Sequence, residues 1–425
     1  MLLTGFKSPL FSHIRTFARG RIPGQLIIQL TDHCNASCPQ CGMRRSAPFR
    51  RSLLTVDEGK KIIDHAAASG ISSLSFTGGE PFLFADQLIT LIRHAGEAGI
   101  RYIRTGTNGF LFMNPDRPDF HERVSSLAER LASTSLYTFW ISIDSSIPEL
   151  HEKMRGLPGV VKGIERALPI FHAHGIYPSA NLGITRNIAG LPDGGTLSGT
   201  FSESACRKGF DAFFRSVMDL GFTIVNACYP MSVDESSGDS LSPVYQATAT
   251  SDLVRFSSSE RITLFRALRE TIPQFRSRIR IFSPLSSLLA IERQYTGNAD
   301  SCRPCRGGSD FFFINAASGD TYPCGYRGSE NLGKFWDLDI KTTPIAASCK
   351  ECDWECFRDP SELMGPFHEF FTAPAGLIKK FVNDRAFARL WLSDLRYFST
   401  CNLFNGRIPP DYRKLSSFGQ NHIPA

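Results

Sequence analysis

The chain has 425 residues, 42% hydrophobic and 21% charged, with 47 Lys+Arg against 41 Asp+Glu for a formal net charge of +6. That length suits one large domain with a smaller one, or two to three domains. The apolar fraction is enough for a real core, which excludes a disordered chain, a collagen-like repeat and a small disulfide scaffold. No run of roughly 18 apolar residues marks a spanning helix, and the charge bias is too mild for a nucleic-acid binder.

The first 23 residues are basic and amphipathic. Charges interrupt their apolar stretch and no small-residue cleavage site follows, so a secretory signal is not expected and a cytoplasmic location is. In that compartment the 12 cysteines are expected as thiols or metal ligands rather than disulfides. From residue 24 short β-rich runs alternate with amphipathic helical runs. LIIQL (26–30) reads as a strand. Residues 55–70 read as a helix, with Thr55 as N-cap, Val56, Ile62, Ile63 and Ala66 at helical spacing, and Gly70 as the stop. Strands follow at 72–76, 102–106, 137–144, 179–185 and 222–229. Helices fall at 84–99, 118–133, 148–174 and near 207–220. Six βα units in order imply a parallel sheet with right-handed crossovers, closed as a partial (β/α)6 TIM-like barrel over 24–230, an α/β fold. The stretch 188–206 reads as a loop. Residues 231–298 begin with a Ser-rich linker or lid (231–260) and continue as helices at 262–272 and 284–294. A cysteine-rich domain is expected over 299–360 and a helical, basic and aromatic extension over 361–425.

The cysteines cluster twice. Cys34, Cys38 and Cys41 form C-x3-C-x2-C just after the first strand. Cys302, Cys305, Cys324, Cys349, Cys352 and Cys356 form the second group, and Cys206, Cys228 and Cys401 stand apart. Three thiolates on one loop can hold a cubane iron–sulfur cluster and leave one iron open to a small chelating ligand. Zinc is the alternative at both places; it usually takes four protein ligands, which two CxxC pairs can supply.

CNASCPQC after a first strand resembles the radical S-adenosylmethionine (radical SAM) superfamily, and FTGGEP (76–81) at the end of the second strand strengthens the resemblance. The resemblance covers roughly 24–230. It implies a 4Fe–4S cluster on Cys34, Cys38 and Cys41. It places Gly78, Gly79, Glu80 and Pro81 at the methionine amino group of S-adenosylmethionine, with the two glycines admitting close backbone approach. It sets Asn108 at the end of the third strand and Ser142 and Asp144 toward ribose and methionine. His151 and Arg155 share a helix face, and Arg155 would meet the carboxylate. Asn181, Ile184 and Tyr229 would flank the adenosyl group. Gln40 departs from the pattern, since relatives carry an aromatic residue or His there.

Cys305, Gly319 and Cys324 resemble the opening of the SPASM or twitch extension found after such barrels, with 311–324 as a β-hairpin. This implies a C-terminal auxiliary 4Fe–4S cluster on Cys302, Cys305, Cys324 and one of Cys349, Cys352 or Cys356. A second auxiliary cluster would need Cys349, Cys352, Cys401 and a position such as Asp353. The implied chemistry is reductive cleavage of S-adenosylmethionine to a 5′-deoxyadenosyl radical, which takes hydrogen from a substrate C–H, with an auxiliary cluster aiding oxidation or crosslinking. A flavodoxin or ferredoxin would supply the electron. The substrate reading stays open between a peptide, as for a maturase, and a small metabolite. Only some two dozen residues precede the first strand, so a leader-binding module is not expected. Lipid or sugar substrates are minority readings; for lipid, basic aromatic helices at both ends suggest weak membrane-surface association. Outside the enzyme class, the rivals are a non-catalytic iron–sulfur carrier and a zinc module.

Overall fold

A computed structural model describes residues 13–189, 201–230, 232, 241–298, 302–340 and 347–419. Most of the N-terminal basic segment, the centre of the 188–206 loop and most of 231–240 therefore lie outside the described residues. The strands β1 (Gly24–Thr31), β2 (Ile71–Gly78), β3 (Tyr102–Thr107), β4 (Leu136–Ser142), β5 (Ser179–Gly183) and β6 (Ile224–Cys228) pair parallel in chain order. A short helix α1 (Ile14–Ala18) precedes β1. The crossovers carry α2 (Val56–Ala68), α3 (Ala85–Glu97), α4 (Phe120–Ala132), α5 (Pro148–Arg155), α6 (Val160–Ala173) and α7 (Glu203–Asp219). This is the partial (β/α) barrel that the alternation of the sequence implies. At α2 the Thr55 side chain accepts from Glu58 N at 3.2 Å, and Gly70 leaves the helix at φ +81°.

The strands alternate strictly. Leu26, Ile28, Leu30, Leu74, Phe76, Ile103, Phe139, Ile141, Leu182 and Val225 point outward into one buried apolar core beneath the helices. The opposite face carries Gln25, Gln29, Ser75, Arg104, Ser142, Asn181 and Asn226, together with Ile27, Trp140 and Ile224. The barrel interior is therefore mixed, polar groups standing among apolar ones, unlike the apolar plug of a closed (β/α)8 barrel.

Beyond β6 come α8 (Ser258–Thr271), β7 (Arg280–Ile281) and α9 (Leu285–Tyr295). The hairpin β8 (Phe311–Ile314) and β9 (Thr321–Tyr322) forms as expected, with Ile314 opposite Thr321. It does not stand in a separate domain, however. β8 pairs parallel with β1, so the nine-stranded sheet runs β7-β6-β5-β4-β3-β2-β1-β8-β9 and crosses the boundary expected at 299. The physical reason is the FFFI run. Phe312 and Ile314 enter the barrel core, while Phe311 and Phe313 pack with Ile27, Tyr245, Trp354 and Phe357, so both faces of the strand are buried.

The C-terminal helices are α10 (Glu355–Thr372), α11 (Pro374–Asn383), α12 (Arg385–Thr400) and α13 (Tyr412–Leu415). Phe17 of α1 packs on Phe367 and Phe371 of α10. Phe370, Ile378, Val382 and Leu392 are exposed, and among the described residues no helix is long and apolar enough to cross a membrane. Between α12 and α13 the chain turns through Asn402, Leu403 and Phe404, with φ of 51°, 50° and 59°. This left-handed turn lies under the start of β4, where Tyr137 Oη donates to Asn402 O at 3.0 Å and Thr138 Oγ1 to Phe404 O at 3.3 Å.

Candidate active site

The loop leaving β1 carries Cys34, Cys38 and Cys41 at the C-terminal end of the sheet. It is held by a residue that its own spacing does not point to. The Arg51 guanidinium donates to the carbonyls of Asp32 (2.6 Å), Met43 (3.0 Å), Arg44 (2.7 Å) and Ala47 (3.2 Å), gathering the loop around one cation. On its far side Gly42 N donates to Ala247 O at 3.2 Å, and a Cβ on Gly42 would lie 2.1 Å from Gln246 O. The stretch 241–249, read from sequence as linker or lid, is thus a fixed brace. Its Ser242 and Val244 amides bond to the Tyr326 and Gly325 carbonyls, and Tyr245 Oη meets Thr77 Oγ1 at 2.8 Å.

Burial pushes the Cys38 thiol up to about 12 and the Cys41 thiol up to about 11, and raises Cys34 as well. Neutral thiols in such a place become thiolates only with a strong positive partner, which a metal cluster supplies. Backbone Ala36 N (3.4 Å) and Asn108 Nδ2 (3.9 Å) point at Cys34 Sγ. Among the described residues no three His, Cys, Asp or Glu side chains close on a single-ion site. Ligands to a four-iron cluster each bind a different iron and need not converge on one point.

The Gly-Gly-Glu turn is fastened to this loop. Gly79 N donates to Thr31 O and Glu80 N to His33 O, both at 2.8 Å. A Cβ on Gly78 would sit 2.3 Å from Thr31 O, and one on Gly79 2.2 Å from His33 O. The expected close backbone approach is therefore made to the exit of β1. Glu80 is fully buried and accepts from Phe82 N at 3.1 Å and Asn108 N at 2.6 Å. Burial raises its carboxyl to about 7, so an ammonium brought alongside would stabilise the ionised form. Pro81 starts the 3-10 turn Pro81–Phe84 and is buried.

Asp144 and Arg155 form a bidentate pair, Nε–Oδ2 at 2.8 Å and Nη2–Oδ1 at 2.9 Å. The Arg155 fork thus already has a carboxylate in the chain itself. Burial alone would raise Asp144, but the Arg155 charge outweighs it and the net shift is downward. Gln40 Nε2 also donates to Asp144 Oδ2 at 3.0 Å, which gives this unusual residue a structural partner, and its Oε1 is buried without one. His151 accepts from Asp144 N at 3.0 Å; burial and then Arg155 drive it down to about 4, so it stays neutral. Arg155 O accepts from Ser37 N at 2.8 Å, tying α5 to the cysteine loop.

Ser142, Asn181 and Asn226 lie in one register row across β4, β5 and β6, and Asn226 Nδ2 donates to Asn181 Oδ1 at 2.8 Å. Asn226 was not foreseen; its alternate position in the strand is the signal that finds it. Ile184 is a core residue. Tyr229 turns away from the row: its ring packs on Phe265 and its hydroxyl donates to Asp359 at 3.2 Å. Cys228 instead faces inward, and its thiol donates to Glu355 Oε1 at 2.8 Å.

The second cysteine group divides differently from the expectation. Cys305, Cys324, Cys349 and Cys352 line one pocket with Trp354 and Phe357, and Cys305 N donates to Cys349 O at 2.8 Å. Cys302 is outside it, its thiol donating to Ala290 O at 2.8 Å. Cys356 is on the first turn of α10, 3.6 Å from the Glu355 carboxylate. Cys401 is buried among Tyr397 and its neighbours, and Asp353 binds Arg261 and Tyr295. Four thiols in one pocket match one fully ligated auxiliary cluster. Cys302, Cys356 and Cys401, which would complete other sets, do not line that pocket.

Residues 28–193 match the radical SAM superfamily. The chain carries a radical SAM domain. Radical SAM enzymes cleave S-adenosylmethionine and abstract hydrogen from a C–H bond, and this chain adds a cysteine-rich C-terminal region of the auxiliary-cluster kind. It is 25% identical over 344 residues to an AdoMet-dependent heme synthase of Methanosarcina barkeri, covering 81% of this chain and 87% of that one. It is 30% identical over 150 residues to a GTP 3′,8-cyclase of Mannheimia succiniciproducens, covering 34% and 41%. Among solved structures it is similar to Streptococcus suis SuiB bound to S-adenosylmethionine, at 15% identity and a TM-score of 0.49, covering 75% of this chain and 65% of that one.

Proposed function

We propose that this radical SAM enzyme functionalises a C–H bond of a small molecule held inside the barrel, with one auxiliary cluster at its side. The carrying observation is that the three-cysteine loop and the Glu80 turn are hydrogen-bonded into one unit at the C-terminal strand ends, where parallel barrels hold their chemistry. Cys34, Cys38 and Cys41 would hold the radical SAM cluster; Glu80 would take the sulfonium ligand's ammonium, Asn108 and Ser142 its neighbouring polar groups, and Asn181 the nucleoside. Asp144 and Arg155 orient the wall beside it. Bound together, cluster and S-adenosylmethionine supply one-electron cleavage of a C–S bond and a carbon radical that abstracts hydrogen. The protein's own part is to fix the reacting carbon and exclude water, which the apolar shell behind the strands and the brace at 241–249 support. Cys305, Cys324, Cys349 and Cys352 would hold the auxiliary cluster, and a flavodoxin- or ferredoxin-like donor in the cytoplasm would deliver the electron. The heme-synthase resemblance along most of the chain favours a small molecule over a peptide.

The test is anaerobic reconstitution of the chain, with iron and sulfide counted and 5′-deoxyadenosine followed after dithionite reduction. About eight irons per chain are expected from two cubanes, and Cys38→Ala should abolish the nucleoside product. Zinc in place of iron, or product persisting in Cys38→Ala, overturns the reading. A precursor peptide whose addition accelerates the product would replace the small molecule.

A further inference from the structure

Arg104 sits on the inner face of β3. It is the one Lys, Arg, Asp or Glu in the strands β1 to β6. Its register neighbours are Ser75 on β2 and Thr138 on β4, both neutral, and the Thr138 hydroxyl is already given to Phe404 O. It is half-buried; its Nε has no hydrogen-bond partner, as is also true at Arg276 and Arg358, but unlike theirs its guanidinium meets no carboxylate among the described residues. Its charged-group surroundings are the Cys356 thiol and Tyr137, and burial works against its charge. Among the described residues the fully buried arginines each have an acceptor: Arg261 has Asp353, Arg276 has Asp394, Arg303 and Arg358 have Glu362, and Arg280 has the Thr223, Asn405 and Ile408 carbonyls. Two residues further along the strand Gly106 makes room for the indole of Trp140, which a Cβ there would meet at 1.9 Å, so that the wall above Arg104 is aromatic.

A half-buried guanidinium that faces the interior without an acceptor keeps its planar donors available, and they fit a carboxylate or phosphate. We propose that Arg104 is the anion subsite of the barrel interior, binding a carboxylate or phosphate on the end of the substrate that enters deepest. Arg104 precedes Asn108 by four residues, about 13 Å along the strand and so about 10 Å down the axis of a tilted barrel, which sets the anion below the level of the Glu80 turn. The substrate class is thus an elongated small acid or phosphate ester, longer than a single amino acid, whose reacting carbon is remote from its charged end. This rests on the reading of the barrel interior as the substrate site.

The test is calorimetric titration of the reconstituted holoenzyme with inorganic phosphate and, separately, with succinate. Arg104→Met should weaken the better of the two anions by about tenfold or more, and Arg104→Lys should keep part of that affinity. Preference for phosphate or succinate identifies the head group. Equal affinity in wild type and Arg104→Met, or no binding of either anion to wild type, overturns the proposal. A measurement on wild type alone guards against a variant that does not fold: phenylglyoxal modification of Arg104, located by peptide mass spectrometry, should slow when the bound anion is present. Unslowed modification overturns it. Wild-type iron content and 5′-deoxyadenosine formation report on the radical SAM reading, so the two conclusions fail separately.

Discussion

Between the barrel sheet and its helices, the outward strand positions form an apolar core of Leu, Ile, Val and Phe. Around the cysteine-rich region and the helices that flank it, buried charges join the apolar packing. Arg358 and Glu362 pair at 3.3 Å inside α10, Arg303 N donates to Glu362 at 2.7 Å, and Asp394 receives Arg276, the Leu285 and Ser286 amides and Ser286 Oγ. The first region is stabilised by area removed from water and tolerates imperfect fits. The second depends on each partner being present, because a lone buried charge is strongly unfavourable. The difference teaches that the barrel's burial follows patterns readable along each strand and helix, while the buried charges are satisfied largely across the chain, as Arg303 N by Glu362 and Arg276 by Asp394.

Five substitutions probe that contrast. The largest effect is expected at Cys352, where Cys352→Ser should remove about four irons per chain, one cluster's complement; iron analysis unchanged from wild type would dissolve the four-thiol pocket. Asp394→Ala strands Arg276 and two amides, and should cost about 3–5 kcal/mol in urea unfolding. In the barrel, Ile141→Ala should cost about 2–4 kcal/mol, so a larger loss there than at Asp394 would reverse the comparison. Asp359 is buried beside Tyr229 and Ser287, and burial raises its carboxyl to about 8. The folded chain therefore holds this proton more tightly than the unfolded chain. The associated stability is complete below the ordinary Asp range and is lost as pH rises toward about 8. Asp359→Asn should flatten the decline between pH 5 and pH 8 (about the span of the two pKa values), and an undiminished slope would assign it to other groups. Smallest of all, Cys302→Ser should leave the iron count unchanged and cost about 1 kcal/mol; a lost cluster would return Cys302 to the ligand set.

The same contrast explains what the sequence discloses. Period-2 strands, period-3.6 helices and the Thr55 cap are local, so the six βα units could be read in order. The two motifs of the site are contiguous, so Cys34, Cys38, Cys41 and Glu80 could be named. Arg51 could not, since its partners are backbone carbonyls with no residue signature. Nor could the division of the second cysteine group, because Cys302-x2-Cys305 and Cys349-x2-Cys352 look equivalent in spacing. Only packing separates them: Cys305 and Cys349 are joined by a backbone bond, while the Cys302 thiol is drawn to Ala290. The pairing of β8 with β1 was hidden for a similar reason. A four-residue apolar run states that both its faces are buried and leaves the neighbour unspecified.

The left-handed turn at Asn402–Phe404 fastens the C-terminal segment to the foot of the barrel, where Gly406 N also donates to Tyr137 O and Tyr177 N to Gly406 O. Three successive non-glycine residues in that conformation are held at an intrinsic cost of about 1 kcal/mol or more each, and what they hold is a run of carbonyls that receives the Tyr137 and Thr138 hydroxyls at the foot of β4.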